Sequence, residues 1–154
     1  MTDWHDIVLR LGAAAALGGA IGLNRNLHGK PTGLRTLALV GLGAATMVLV
    51  AIEDGGDPSA ASRVLQGLLT GIGFLGAGVI LHDATASKVH GLTTAATIWV
   101  TACLGAACGI GAWRQAITAA AIVGFVLVFG GPLEKAIHRR YRKHDVPPED
   151  DEHS

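Results

Sequence analysis

The chain has 154 residues, of which 50% are hydrophobic, 16% charged and 5% aromatic, with 22 glycines and a mean hydropathy of +0.44. Soluble domains carry roughly 25% charged residues, and a small protein has much surface to cover, so this composition excludes an ordinary soluble enzyme and a disordered protein. Twelve basic residues balance twelve acidic ones, leaving no global field to hold a nucleic acid. Cys103 and Cys108 sit inside an apolar run, which is neither a disulfide framework nor a zinc site.

The charges are confined to short intervals. Residues 36–52, 64–82, 89–113 and 115–133 carry none, and residues 7–23 are interrupted only by Arg10. A helix needs about 20 residues to cross about 30 Å of hydrocarbon. The sequence therefore predicts an all-α, polytopic membrane protein with five transmembrane helices over residues 7–23, 33–52, 64–81, 92–113 and 116–133. No segment shows the charged stripe of a soluble bundle helix. The leading stretch holds Asp3 and Asp6 without Lys or Arg, the wrong sign for a signal peptide. Residues 1–135 form the transmembrane domain in this reading. Residues 136–154 form a tail, basic in HRRYRKH and then acidic in PPEDDEHS, and read as disordered.

Five crossings put the termini on opposite sides. Arg25, Lys30, Arg35, Lys88, Lys135, Arg139, Arg140, Arg142 and Lys143 fall on one face, and Arg63, Arg114 and Arg10 on or near the other. The positive-inside rule then places the N-terminus outside and the C-terminus in the cytoplasm.

Within the first segment, Arg10 is the one formal intramembrane charge, a functional hypothesis unless it snorkels to the outer interface. The loop after it, NRNLHGKPTGLRT, concentrates Arg25, Lys30 and Arg35 with turn-forming Gly and Pro, including Gly33, and ends on Thr36. In the third segment, residues 71–76 read G-x-G-x-x-G, but inside a membrane run and without the strand that dinucleotide binding requires. Glycine lets membrane helices approach closely. Gly67, Gly71 and Gly78 project to one side and Gly73 and Gly76 to another, so this segment is expected to be a central helix packed on two faces. Gly105 and Gly109 make a second close-packing pair on the fourth segment, and Gly18 and Gly22 another on the first. Such pairs serve contacts within one chain or between copies. A homo-oligomer is accordingly expected.

The fourth segment opens with Thr93, Thr94 and Thr97. Together with Asp83, which lies within ion-pairing reach of Arg25, Lys30 or Arg35 if the inner loops meet, they compose a polar cluster at the inner mouth. Two readings stand: a site for an anion, a cation or a partner helix, or hydroxyls and arginines that satisfy helix ends and hold loops together. The seven histidines show no metal-ligand pair, and no nucleophile set exists, so no catalytic residue, metal site or cofactor is expected.

Three stretches, GGAIGLNRNLHGKPTGLRTLALVGLGA (18–44), GLLTGIGFLGAGVIL (67–81) and GLTTAATIWVTACLGAACGIG (91–111), together resemble the MgtC/SapB family of bacterial membrane proteins. The resemblance implies a multi-pass protein of the bacterial plasma membrane. It also implies a link to growth in low magnesium and to virulence and survival of pathogens inside host cells. The implied role is a non-enzymatic regulator acting through other membrane proteins. The alternative is a small oligomeric transporter or channel for magnesium or another ion. Two departures stand out. The family commonly reads G-[LI]-E-R-E where this chain has Asn24 and Asn26 around Arg25, which weighs against divalent-cation binding by carboxylates there. Many relatives also carry a soluble cytoplasmic domain after the last helix, where this sequence has only residues 134–154.

Overall fold

A computed structural model describes residues 3–53, 59–82 and 90–142. The described residues form five helices and no strand: α1 (Trp4–Leu27), α2 (Leu34–Glu53), α3 (Ser59–His82), α4 (Leu92–Ile110) and α5 (Trp113–Arg142). All five are long and apolar enough to cross a membrane. The helices run past the sequence reading by four residues at the end of α1 and by five at the start of α3, and two further differences involve Gly111 and Pro132.

α4 stops at Ile110, three residues before the expected end. Gly111 adopts a left-handed conformation with φ 83°, the Gly111 N–H bonds the Cys108 carbonyl, and the Ala112 N–H bonds the Ala107 carbonyl, both at 2.9 Å. This paired closure satisfies two of the last carbonyls of α4 and turns the chain directly into α5. The guanidinium of Arg10 lies 3.0–3.2 Å from where a Cβ on Gly111 would stand. Gly111→Ala therefore meets both a disfavoured φ and an arginine. It is expected to cost about 1–2 kcal/mol, read as a lower apparent melting temperature in detergent.

The second difference is α5, which runs through Pro132 to Arg142 instead of stopping at residue 133. Residues 136–142 of the expected tail thus continue this helix, and residues 143–154 lie outside the described residues. Glu134, Lys135, Ala136 and the arginines that follow favour helix, and proline costs the ladder only one donor plus a local clash.

The chain divides into two compact units, Met1–Ala120 and Ala121–Ser154. In the second, Phe125 and Phe129 stack at a centroid distance of 4.7 Å on a largely exposed helix. In the first, the core is the mutual packing of α1, α2 and α4. Its buried residues are Leu37, Ala44, Ala45, Val48 and Leu49 of α2, Ile98, Ala102, Leu104 and Cys108 of α4, and Ala14 and Ile21 of α1; Ala14, Ala45 and Cys108 cluster with Ala116 from the start of α5.

Small residues bring these backbones together. A Cβ on Gly105 would collide with the backbone of Gly41, and one on Gly109 would lie 2.6 Å from the Ala45 carbonyl oxygen. On the other seam, Gly18 faces the Leu37 carbonyl, Gly22 the backbone of Gly33 and Leu34, and Gly41 the Ala14 carbonyl. Membrane helices associate through such close van der Waals contact, because lipid tails are as apolar as leucine.

The third segment is not the closely packed centre that its glycines suggested. α3 leans on α4 and α2 through one side only, where Ile72 and Gly76 are buried and Gly76 meets the Ala95 methyl at an ordinary 3.5 Å. A Cβ added at Gly67, Gly71, Gly73 or Gly78 would meet nothing within 4 Å. Glycine permits close approach but does not specify a partner, and among the described residues nothing comes within 4 Å of those four positions.

Candidate functional site

The polar centre of the first unit is Arg25. It occupies the last turn of α1, where a cation is favoured by the helix dipole, and it is only 3% exposed. Its Nε and Nη2 both donate to the Pro31 carbonyl, at 3.1 and 3.0 Å. Nη2 also donates to Thr94 Oγ1 at 2.5 Å, and Nη1 to Thr97 Oγ1 at 3.3 Å. One guanidinium therefore joins the end of α1, the α1–α2 loop and the first turns of α4. Among the described residues no carboxylate reaches it, so neutral dipoles carry a buried charge. That arrangement requires hydrogen bonds to offset desolvation.

α4 supplies its acceptors at the spacing of one helix face. Thr97 Oγ1 donates to the Thr93 carbonyl at 2.6 Å, which turns its lone pairs toward Arg25, and Thr101 Oγ1 donates to the Thr97 carbonyl at 2.8 Å. Thr94, Thr97 and Thr101 are all buried. Thr93 contributes its backbone only, its side chain being exposed.

The loop is tied down locally. The Lys30 N–H bonds the Arg25 carbonyl at 3.0 Å, and His28 places its N–H on the Asn24 and Arg25 carbonyls and its Nδ1 2.7 Å from the Asn24 carbonyl oxygen. Thr32 sits at φ 61°, a strained conformation for a β-branched residue, directly beside the Pro31 carbonyl that Arg25 grips. A Cβ on Gly33 would collide with the Asn26 side chain, so the glycine makes room for the asparagine.

The other expected site residues separate. Lys30, Arg35 and Thr36 are exposed. Asp83 lies outside the described residues. Arg10 ends up at the far end of α4: Nη1 donates to the Gly109 carbonyl at 2.9 Å, and Nε lies 2.7 Å from Asp6 Oδ2, one turn back on α1, although not at hydrogen-bonding geometry. Arg10 thus covers a carbonyl at the negative end of α4 and ties it to α1. The sequence reading missed Gly41 and Ala45 as packing residues, although their small-x-x-x-small spacing was available. It also missed the Pro31 carbonyl, which no side-chain pattern could reveal.

The MgtC family model matches residues 11–136. The chain belongs to the MgtC family. Among its MgtC-family relatives, SrpB of Synechococcus elongatus is 49% identical over 123 residues, covering 73% of this chain and 68% of SrpB. MgtC of Salmonella typhimurium is 41% identical over 116 residues, covering 75% of this chain and 48% of that protein. MgtC of Brucella abortus is 40% identical over 127 residues, covering 82% and 52%. This chain therefore spans about half the length of those two MgtC proteins. No solved structure matches it. With five apolar helices and these relatives, the MgtC-family chain is a multi-pass membrane protein.

Proposed function

We propose that this protein is a non-enzymatic regulator of the bacterial inner membrane, linked to adaptation to low magnesium, that acts by docking on other membrane proteins. The observation that carries this reading is the division of labour among its helices. α1, α2 and α4 close on one another through backbone contact and bury the polar centre. α3 leaves Gly67, Gly71 and Gly78 open beside Thr70 and the 81% exposed Phe74. A glycine-lined face on an apolar helix is the type of surface on which another membrane helix packs. The proposed orientation has the N-terminus outside and the α1–α2 loop and the end of α5 in the cytoplasm, following the basic residues. The same face serves self-association, so a homo-oligomer belongs to the proposal.

The test is affinity purification from membranes with crosslinking under low magnesium, comparing the native chain with Gly67→Leu/Gly71→Leu. The native protein is expected to bring down a membrane protein that the variant loses, while the variant keeps its melting temperature. Recovery of self-contacts alone, or identical recovery with both chains, counts against the docking role.

The second reading is a small oligomeric ion transporter or channel, drawn from the membrane threonines and Arg10. Thr70, Thr97 and Thr101 each donate to a carbonyl of their own helix, Thr94 and Thr97 are taken up by Arg25, and Arg10 is engaged with Asp6 and Gly109. These bonds favour a structural use of the same groups. Flux of magnesium, potassium, protons or anions into liposomes carrying the purified protein decides between the two.

A further inference from the structure

Lys30 and Arg35 are not part of the Arg25 clamp. Both are exposed, and among the described residues neither makes an ion pair. No Asp or Glu occurs anywhere in residues 7–52, so neither α1 beyond Asp6, the loop, nor α2 before Glu53 offers a competing carboxylate. Large apolar side chains flank the two cations on the same loop ends: Leu27 is 77% exposed, and Leu23 and Leu34 are also exposed. Leucines beside exposed cations suit the boundary between hydrocarbon and water, where the apolar groups enter the acyl region and the cations meet headgroups. The loop is also held in shape. Arg25 grips the Pro31 carbonyl on one side of Lys30, and the Lys30 N–H bonds the Arg25 carbonyl.

We infer that the α1–α2 loop is a docking surface for anionic phospholipid headgroups, with Lys30 and Arg35 as the contacting groups and Arg25 as the residue that positions them. Phosphatidylglycerol and cardiolipin supply the complementary charge, and exposed leucines favour an anion that carries acyl chains over a free one.

The experiment is native mass spectrometry of the purified full chain in detergent, titrated with phosphatidylglycerol, cardiolipin, phosphatidylcholine and inorganic phosphate. The native chain is expected to retain the anionic lipids in preference to phosphatidylcholine, by about fivefold for each basic residue engaged. Lys30→Gln/Arg35→Gln is expected to lose that preference, while Arg140→Gln/Lys143→Gln keeps it. Lys30, Arg35 and Arg140 are exposed, and an unchanged melting temperature confirms that the variants are folded. Equal retention of anionic and zwitterionic lipid, an undiminished preference in the loop variant, or displacement of the lipid by millimolar phosphate overturns the assignment.

Discussion

Gly105→Leu is expected to separate α2 from α4 and to leave little folded protein after extraction. The position sits where a Cβ already collides with the backbone oxygen, carbonyl carbon and Cα of Gly41. A backbone cannot rotate away as a side chain does, so whole helices must shift. Gly105→Ala alone should cost about 1–3 kcal/mol, the range for overpacking a filled core, and leucine more. The measurement is the apparent melting temperature of the detergent-solubilised protein, with Gly67→Leu as the matched control. Gly67 lies on an equally apolar helix in the same spacing motif, yet its Cβ direction is open, so within a single chain its substitution should change stability by less than about 0.5 kcal/mol. Equal destabilisation by the two would mean that α3 is closely packed on its outer face as well.

Arg25→Ala is expected to be the most damaging polar substitution. It strips the Pro31 carbonyl of two donors and leaves the hydroxyls of Thr94 and Thr97 without their cation. A buried acceptor left unpaired costs about 1–3 kcal/mol, and several groups lose their partner here at once. Arg25→Lys should rescue little. An ammonium is a point charge that cannot span the Pro31 carbonyl and two threonines together, and it is more strongly hydrated than a guanidinium. Two readouts check this: a fall in melting temperature, and faster hydrogen exchange at the Lys30 amide, which is bonded to the Arg25 carbonyl. A lysine variant that matches the native chain in both would show that charge alone, and not the fork geometry, holds the loop.

The five helices were legible in the sequence because the requirement for about 20 uncharged residues is local. Helix ends were less so. The glycine at 111 lies inside a charge-free run, and only the left-handed turn it adopts marks it as the end of α4. The last segment was expected to end at residue 133, where the charge-free run stops, yet the residues after it sustain α5. The glycines show the limit most clearly. Gly67 with Gly71 and Gly105 with Gly109 have identical spacing, but which pair meets a helix depends on where distant segments lie, and spacing carries no such information. For the candidate site, the types were readable and the connections were not. Arg25, Thr94 and Thr97 were all in view, but their joining through the backbone oxygen of Pro31 was not, and Asp83, offered as a partner for Arg25, Lys30 or Arg35, lies outside the described residues. Arg10 looked like a membrane charge seeking a function because its acceptor, a carbonyl of α4, is 99 positions away.

That distance along the chain has a bearing on biogenesis. Domains are made N-terminus first, and the α1–α2 pair consists of neighbours that come together early. α4 then supplies the acceptors for Arg25 through Thr94 and Thr97, the carbonyl for Arg10, and the backbone surface for Gly41 and Ala45. Until it emerges, the guanidinium of Arg25 at the end of α1 has only its own loop to bond. α3 enters before α4, contributes little to the seal, and waits beside a half-built structure. During that interval Arg10 lacks the Gly109 carbonyl and Arg25 the Thr94 and Thr97 hydroxyls, so these contacts can form only once the fourth helix is in place.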